Sequence, residues 1–209
     1  MRALRAKRTS AFTLIELLVV IAIIAMVAGL VVGLAGVAGT NKKQKRVQVE
    51  LAKLVTLIEG YKAKVGVYPP QNPNLAPDRN TLLYELAGAT RNNDPDPLYE
   101  TPFGSIRQSL LLTAFGTNGV INAVSISADN EDRMALKRVL KDLHPDQYRA
   151  GAVAPNTASL VVPVDGPDGQ PAVWNYRVGP DAVHNPDSFD LWVEIVVKGR
   201  TNVVGNWKN

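Results

Sequence analysis

Few side chains in this 209-residue chain are equipped for chemistry, and their types exclude whole classes of it. There is no cysteine, so disulfides, thiolate nucleophiles and cysteine-based zinc or iron–sulfur sites are out of reach. The only two histidines are His144 and His184. His144 precedes Pro145, which suits a helix end, and His184 falls in a loop. Asp129, Glu131 and Asp132 are placed to open a helix, where acids meet the positive end of the dipole. Asp94-Pro95-Asp96-Pro97 reads as a turn-rich loop. Asp181, Asp187 and Asp190 are near enough in sequence to share a cation, but solvated turn carboxylates are the simpler expectation. With no hydroxyl-nucleophile motif, no glycine-rich phosphate loop and no paired histidines, neither a catalytic residue nor an enzymatic activity is expected. One carboxylate stands out by its surroundings. Glu16 sits near the head of a long apolar run, where an ionisable group costs a few kcal/mol unless it finds a partner or stays near an interface. A positive amine would be such a partner, and a first-turn glutamate also gains from the helix dipole.

The elements that must position Glu16 are legible in the apolar and proline patterns. Leu17 to Gly39 is a 23-residue run without a charge, long enough as a helix to span about 35 Å and cross a bilayer. All fourteen prolines lie between Pro69 and Pro186, so one helix is expected from Phe12 to Tyr68, stopping at Pro69-Pro70. Its second part changes character: Val47, Leu51, Leu54, Val55, Ile58, Tyr61 and Val65 recur at helical spacing and predict one buried stripe. Beyond it the pattern predicts short helices over Thr81–Ala87 and Asp132–Leu143. Strands are predicted over Leu160–Val164, Ala172–Val178 and Phe189–Lys198, with a turn at Asp165-Gly166-Pro167-Asp168-Gly169. Asn92 to Gly119 has no clear assignment. Trp174, Trp192, Trp207 and Tyr176 are expected in the core of the sheet. The fold class is therefore α+β, a long N-terminal helix packed on a small antiparallel sheet domain. The expected divisions are residues 1–11 as a basic segment, 12–40 as a transmembrane half-helix, 41–68 as an amphipathic half-helix and 69–209 as a globular domain.

The net charge of +4 and pI near 9.3 do not indicate a nucleic-acid partner. Four bases, Arg2, Arg5, Lys7 and Arg8, crowd the first eleven residues without an acid. From Val65 onward sixteen acids outnumber twelve bases, the wrong sign for a phosphate-binding surface. Lys42, Lys43, Lys45 and Arg46 follow the apolar run, so charge alone leaves membrane orientation open. That second cluster suits anionic lipid or contacts between subunits.

The basic start followed by Ala11-Phe12-Thr13-Leu14-Ile15-Glu16-Leu17-Leu18-Val19-Val20 resembles the class III leader and N-methylation motif of type IV pilins and type II secretion pseudopilins. The resemblance implies cleavage between Ala11 and Phe12 by a membrane prepilin peptidase, N-methylation of Phe12, and Glu16 as the fifth residue of the mature chain. It further implies that Glu16 of one subunit meets the Phe12 amine of a neighbour and sets register during assembly. Ala11 departs from the glycine usual before the cut. Tyr61 to Pro69, Asp165 to Pro171 with Trp174-Asn175-Tyr176-Arg177, and Asp187 to Trp192 with Gly205-Asn206-Trp207 resemble the helix end, hairpin and closing segment of major pseudopilins. Residues 71–158 hardly match. Major pseudopilins commonly bind calcium between the last strand and the closing tryptophan, but here Val193 to Val204 carries two bases and no aspartate. No such site is expected, and no cofactor or metal is assigned.

The resemblance implies a single-pass bacterial inner-membrane protein with the leader in the cytoplasm and the C-terminal domain in the periplasm. Its implied partners are further copies of itself, other pseudopilins, the prepilin peptidase, an inner-membrane assembly platform with its ATPase, and the lipid bilayer. The alternative is a monomeric, signal-anchored periplasmic binding module, which accounts for the apolar run but not for the residues around Glu16. A conventional signal peptide, with Gly36-Val37-Ala38 as its cleavage site, fits poorly because the apolar run is too long.

Overall fold

A computed structural model describes residues 14–126, 136–152 and 157–207, without the side chains of residues 29–41. Helix α1 runs from Leu14 to Val65. It ends at Gly66, whose amide donates to the Lys62 carbonyl at 2.8 Å with φ at +95°. A left-handed residue just past the last turn is the usual helix stop, and glycine adopts it without a Cβ penalty. The stop therefore comes before Pro69-Pro70, at glycine rather than at proline. The chain divides into two compact units at Lys42 and Lys43.

In the first unit the described large apolar side chains are exposed, from Leu14 to Val27. Among the described residues no helix is long and apolar enough to cross a membrane.

The second unit is α+β, built on the predicted stripe of α1. Val47, Leu51, Leu54, Ile58 and Tyr61 are buried, with Val55 and Val65 packed at the margin. Helix α2, Leu82–Ala87, is buried along its whole length. Strands β1 (Ala89–Arg91), β2 (Leu98–Thr101), β3 (Gly104–Arg107) and β4 (Ala123–Ser125) form a sheet in the order β3-β2-β1-β4. Its β1–β4 pair is parallel and the others antiparallel. Helix α3, Gln108–Phe115, follows β3 directly and buries Leu111, Ala114 and Phe115. Strands β5 (Tyr148–Ala150), β6 (Ala158–Asp165) and β7 (Pro171–Val173) make a second sheet. Strands β8 (Asn175–Val178), β9 (Phe189–Val197) and β10 (Arg200–Gly205) make a third, with β9 central. Both of these are antiparallel.

The structure corrects several sequence-based expectations. The single sheet is three small ones. The strand expected over Ala172–Val178 is broken at Trp174, with β7 on β6 and β8 on β9. Trp174 is buried there; its amide donates to the Leu160 carbonyl and its carbonyl accepts from Asn80. Alternation survives the switch, because Ala172, Trp174 and Tyr176 all face inward. The helix expected over Asp132–Leu143 is absent across the described part, residues 136–143. The amides of Val139 and Leu140 both donate to the Leu86 carbonyl, and that of Lys137 donates to the Asn122 side chain. Those donors are thereby taken from any helical ladder. Leu140 is still buried, so its apolar character was informative and its period was not. Asp129, Glu131, Asp132 and Met134 lie outside the described residues. The strand predicted over Phe189–Lys198 is present as β9, and it returns as β10 through a hairpin turning on Lys198 and Gly199, both at positive φ.

Candidate processing and assembly site

Of the residues singled out for processing and assembly, Ala11 and Phe12 lie outside the described residues. Glu16 stands in the first turn of α1 and is exposed. Its carboxylate is at the helix end where the dipole favours negative charge. Around it Leu14, Ile15, Leu17, Leu18 and Ile21 are each more than half exposed. An apolar surface of this length on a single chain calls for lipid or for other helices.

The basic cluster after the apolar run is partly committed within the second unit. Arg46 Nη2 lies 2.7 Å from Asp146 Oδ2, and His144 Nδ1 lies 2.6 Å from the other oxygen of the same carboxylate. Lys43 reaches Asp165 at 3.4 Å. These pairs are half exposed and contribute little to stability, but they engage two of the four bases read as lipid-facing or subunit-facing. His144 is thus a partner of Asp146 in a turn, not the end of a helix.

The expected trio of turn aspartates separates into different roles. Asp190 is buried and accepts hydrogen bonds from the His184 amide at 2.9 Å and the Asn185 side chain at 2.8 Å. Asp181 accepts from Gln71, and Asp187 is exposed. Asp190 is therefore a structural acceptor, not a solvated turn acid. No group of three or more acids or histidines suited to a metal occurs among the described residues. Asp96 closes the start of α3 from outside, accepting the Ser109 amide at 3.0 Å and its hydroxyl at 2.9 Å. Those two bonds hold its carboxyl below the usual range.

A buried carboxylate on α2 went unnoticed in the sequence. Glu85 is fully buried and accepts the Tyr61 hydroxyl of α1 at 2.7 Å. It also accepts the amides of Ile121 at 2.8 Å and Asn122 at 3.0 Å. The Asn122 side chain returns a hydrogen bond to the Glu85 carbonyl at 2.8 Å. Burial pushes the Glu85 carboxyl up, against the lowering effect of its donors, and burial together with the neighbouring Glu85 carboxylate raises the Tyr61 hydroxyl as well. The arrangement ties α1, α2 and the residues leading into β4 together. The only sequence signal was an acid in the apolar run Leu82-Leu83-Tyr84-Glu85-Leu86.

The aromatic residues expected in the core also divide. Trp174 and Tyr176 are buried, whereas Trp192 and Trp207 are half-buried and meet edge to face at 6.0 Å. His184 stacks on Trp207 with centroids 3.9 Å apart.

Comparison with curated proteins and with solved structures finds no match for the chain. The family model of the prokaryotic N-terminal methylation motif does match, over residues 6–32. Residues 6–32 are thus the class III prepilin leader motif of type IV pilins and pseudopilins, and Ala11, Phe12 and Glu16 all fall inside it.

Proposed function

We propose that the chain is a structural subunit, a pseudopilin, of a type II secretion or type IV pilus-like filament. Prepilin peptidase cuts between Ala11 and Phe12 and methylates the new amine. The mature helix is held in the bacterial inner membrane through residues 12–40, with the C-terminal domain in the periplasm, until an assembly platform and its ATPase extract it. In the filament, apolar helices of neighbouring copies replace lipid, and the Glu16 carboxylate of one copy meets the Phe12 amine of another. The protein contributes polymerisation and needs no catalytic residue, cofactor or metal of its own. A single observation carries this reading: the prokaryotic N-terminal methylation motif matches over residues 6–32, the stretch that holds Ala11, Phe12 and Glu16. The exposed apolar side chains of α1 from Leu14 to Val27 support it, since they require lipid or like helices as neighbours.

Mass spectrometry of protein from a host with prepilin peptidase tests the processing. The expected N-terminus is methylated Phe12. An intact Met1, or a start near Gly39, rejects it.

A further inference from the structure

The third sheet has an outer face that the filament reading does not use. Along β8 and β9 the residues Arg177 and Asp190 stand opposite each other, and Asn175 opposite Trp192. On β10, Gly205 pairs with Trp192 and Val203 with Glu194. Side chains two apart on a strand share a face, so Arg177, Asp190, Trp192 and Val203 lie together on the side away from buried Tyr176, Leu191 and Val193. The loop carrying Val183 and His184 closes one side and Trp207 another, leaving a cavity of about 300 Å³ between them. Its wall is mostly apolar, and Val183 and Val203 are 75% and 50% exposed at its rim.

The polar groups of this cavity are unequally satisfied. Both Asp190 oxygens already accept hydrogen bonds, from the His184 amide and the Asn185 side chain, and Asp190 is only 2% exposed. Arg177 is the reverse. Its Nε is buried without a hydrogen-bond acceptor, and the guanidinium makes one long bond, from Nη2 to the Leu75 carbonyl at 3.3 Å. Among the described residues no carboxylate lies within ion-pairing distance of it. A buried donor without an acceptor is costly, and a guanidinium is shaped to hold a carboxylate. The site therefore offers apolar walls for one large side chain and a cation for an adjoining anion.

We propose that this cavity receives the C-terminal residue of a partner polypeptide, one whose last side chain is bulky and apolar. The side chain fills the space between Trp192, Val203 and Val183, and the α-carboxylate pairs with Arg177. The cavity size and mostly apolar lining fit a ligand pocket with a single orienting polar group. Recognition of this kind is independent of polymerisation and is measurable on the full-length single chain.

The test is titration of full-length protein in detergent with three probes, followed by the indole N–H signals of its tryptophans in NMR spectra. N-acetyl-phenylalanine carries the carboxylate, N-acetyl-phenylalanine amide lacks it, and N-acetyl-aspartyl-phenylalanine amide carries an internal acid instead. The first probe is expected to shift Trp192 and Trp207 while leaving buried Trp174 in place. The amide is expected to bind about tenfold more weakly, the loss of one charge-assisted hydrogen bond. Arg177→Gln is expected to abolish the preference, and Arg177→Lys to retain part of it with an unchanged spectrum elsewhere. Equal binding of acid and amide overturns the role of Arg177. Stronger binding of the aspartyl probe overturns the chain-terminus occupant, and no shift with any probe overturns the site.

Discussion

At the scale of single residues, Glu85 is the most demanding placement in the second unit. A fully buried carboxylate with no cation paired to it among the described residues is tolerated because three donors converge on it: the Tyr61 hydroxyl and the amides of Ile121 and Asn122. Removing it strands those donors in the interior. Glu85→Ala is expected to cost about 3 kcal/mol or more by chemical denaturation, and Tyr61→Phe about 1–2 kcal/mol. The pH dependence follows from burial, which raises the folded-state pKa above the ordinary glutamate value of 4.5. The folded protein then holds the proton more firmly than the unfolded chain. This residue's contribution is therefore fully present below pH about 4.5 and is lost as pH rises through the raised folded value. Glu85→Gln, which keeps the shape, is expected to flatten that part of the stability–pH curve; an unchanged slope would place its origin elsewhere. Nothing in a hexapeptide such as Leu82 to Ala87 marks an acid as buried, because its donors come from residues 24 to 37 positions away.

At the scale of elements, local chemistry decides where α1 stops and where β9 turns. Gly66 has φ at +95° and open space where a Cβ would stand. Gly66→Ala is therefore expected to destabilise the second unit by about 1 kcal/mol through backbone strain alone, measured by thermal or denaturant unfolding. Gly205 is a different case: a Cβ there would come within 2.5 Å of the Trp207 ring. Gly205→Ala is expected to displace Trp207 from His184, read as a changed indole signal for Trp207 with Trp174 unaffected. The amphipathic half of α1 was legible because the 3.6-residue period of Val47 through Tyr61 matches one buried stripe. Strand β9 was legible for the same reason in period two. The hairpin of β2 and β3 was not, since each strand has four residues and buries one side chain, Tyr99 or Ile106. The 136–143 strap misled because apolar spacing marks burial, whereas the partner of each amide decides helix or extended chain.

At the scale of the whole molecule, the first unit carries exposed apolar side chains from Leu14 to Val27 and the second carries the buried α+β core. If Glu16 sets register between copies, Glu16→Leu should leave membrane insertion intact and reduce filament assembly, since the substitution lowers the cost of insertion while deleting the partner of the Phe12 amine. Filament counts by electron microscopy, with membrane fractionation as the control, check this. Normal assembly by that variant would leave the carboxylate without the proposed role.

What the sequence by itself determined is local and periodic: the leader motif with Ala11, Phe12 and Glu16, the apolar run, the buried stripe of α1, and the lack of any thiol chemistry. These need only neighbours along the chain or one repeating angle per residue. The tertiary structure alone decided the burial of Glu85 and Asp190, the switch of sheets at Trp174, and the gathering of Arg177, His184, Trp192 and Trp207 around one cavity. Each of those depends on donors, strands and rings brought together from distant positions, and no short-range pattern encodes which distant partner a polar group will meet.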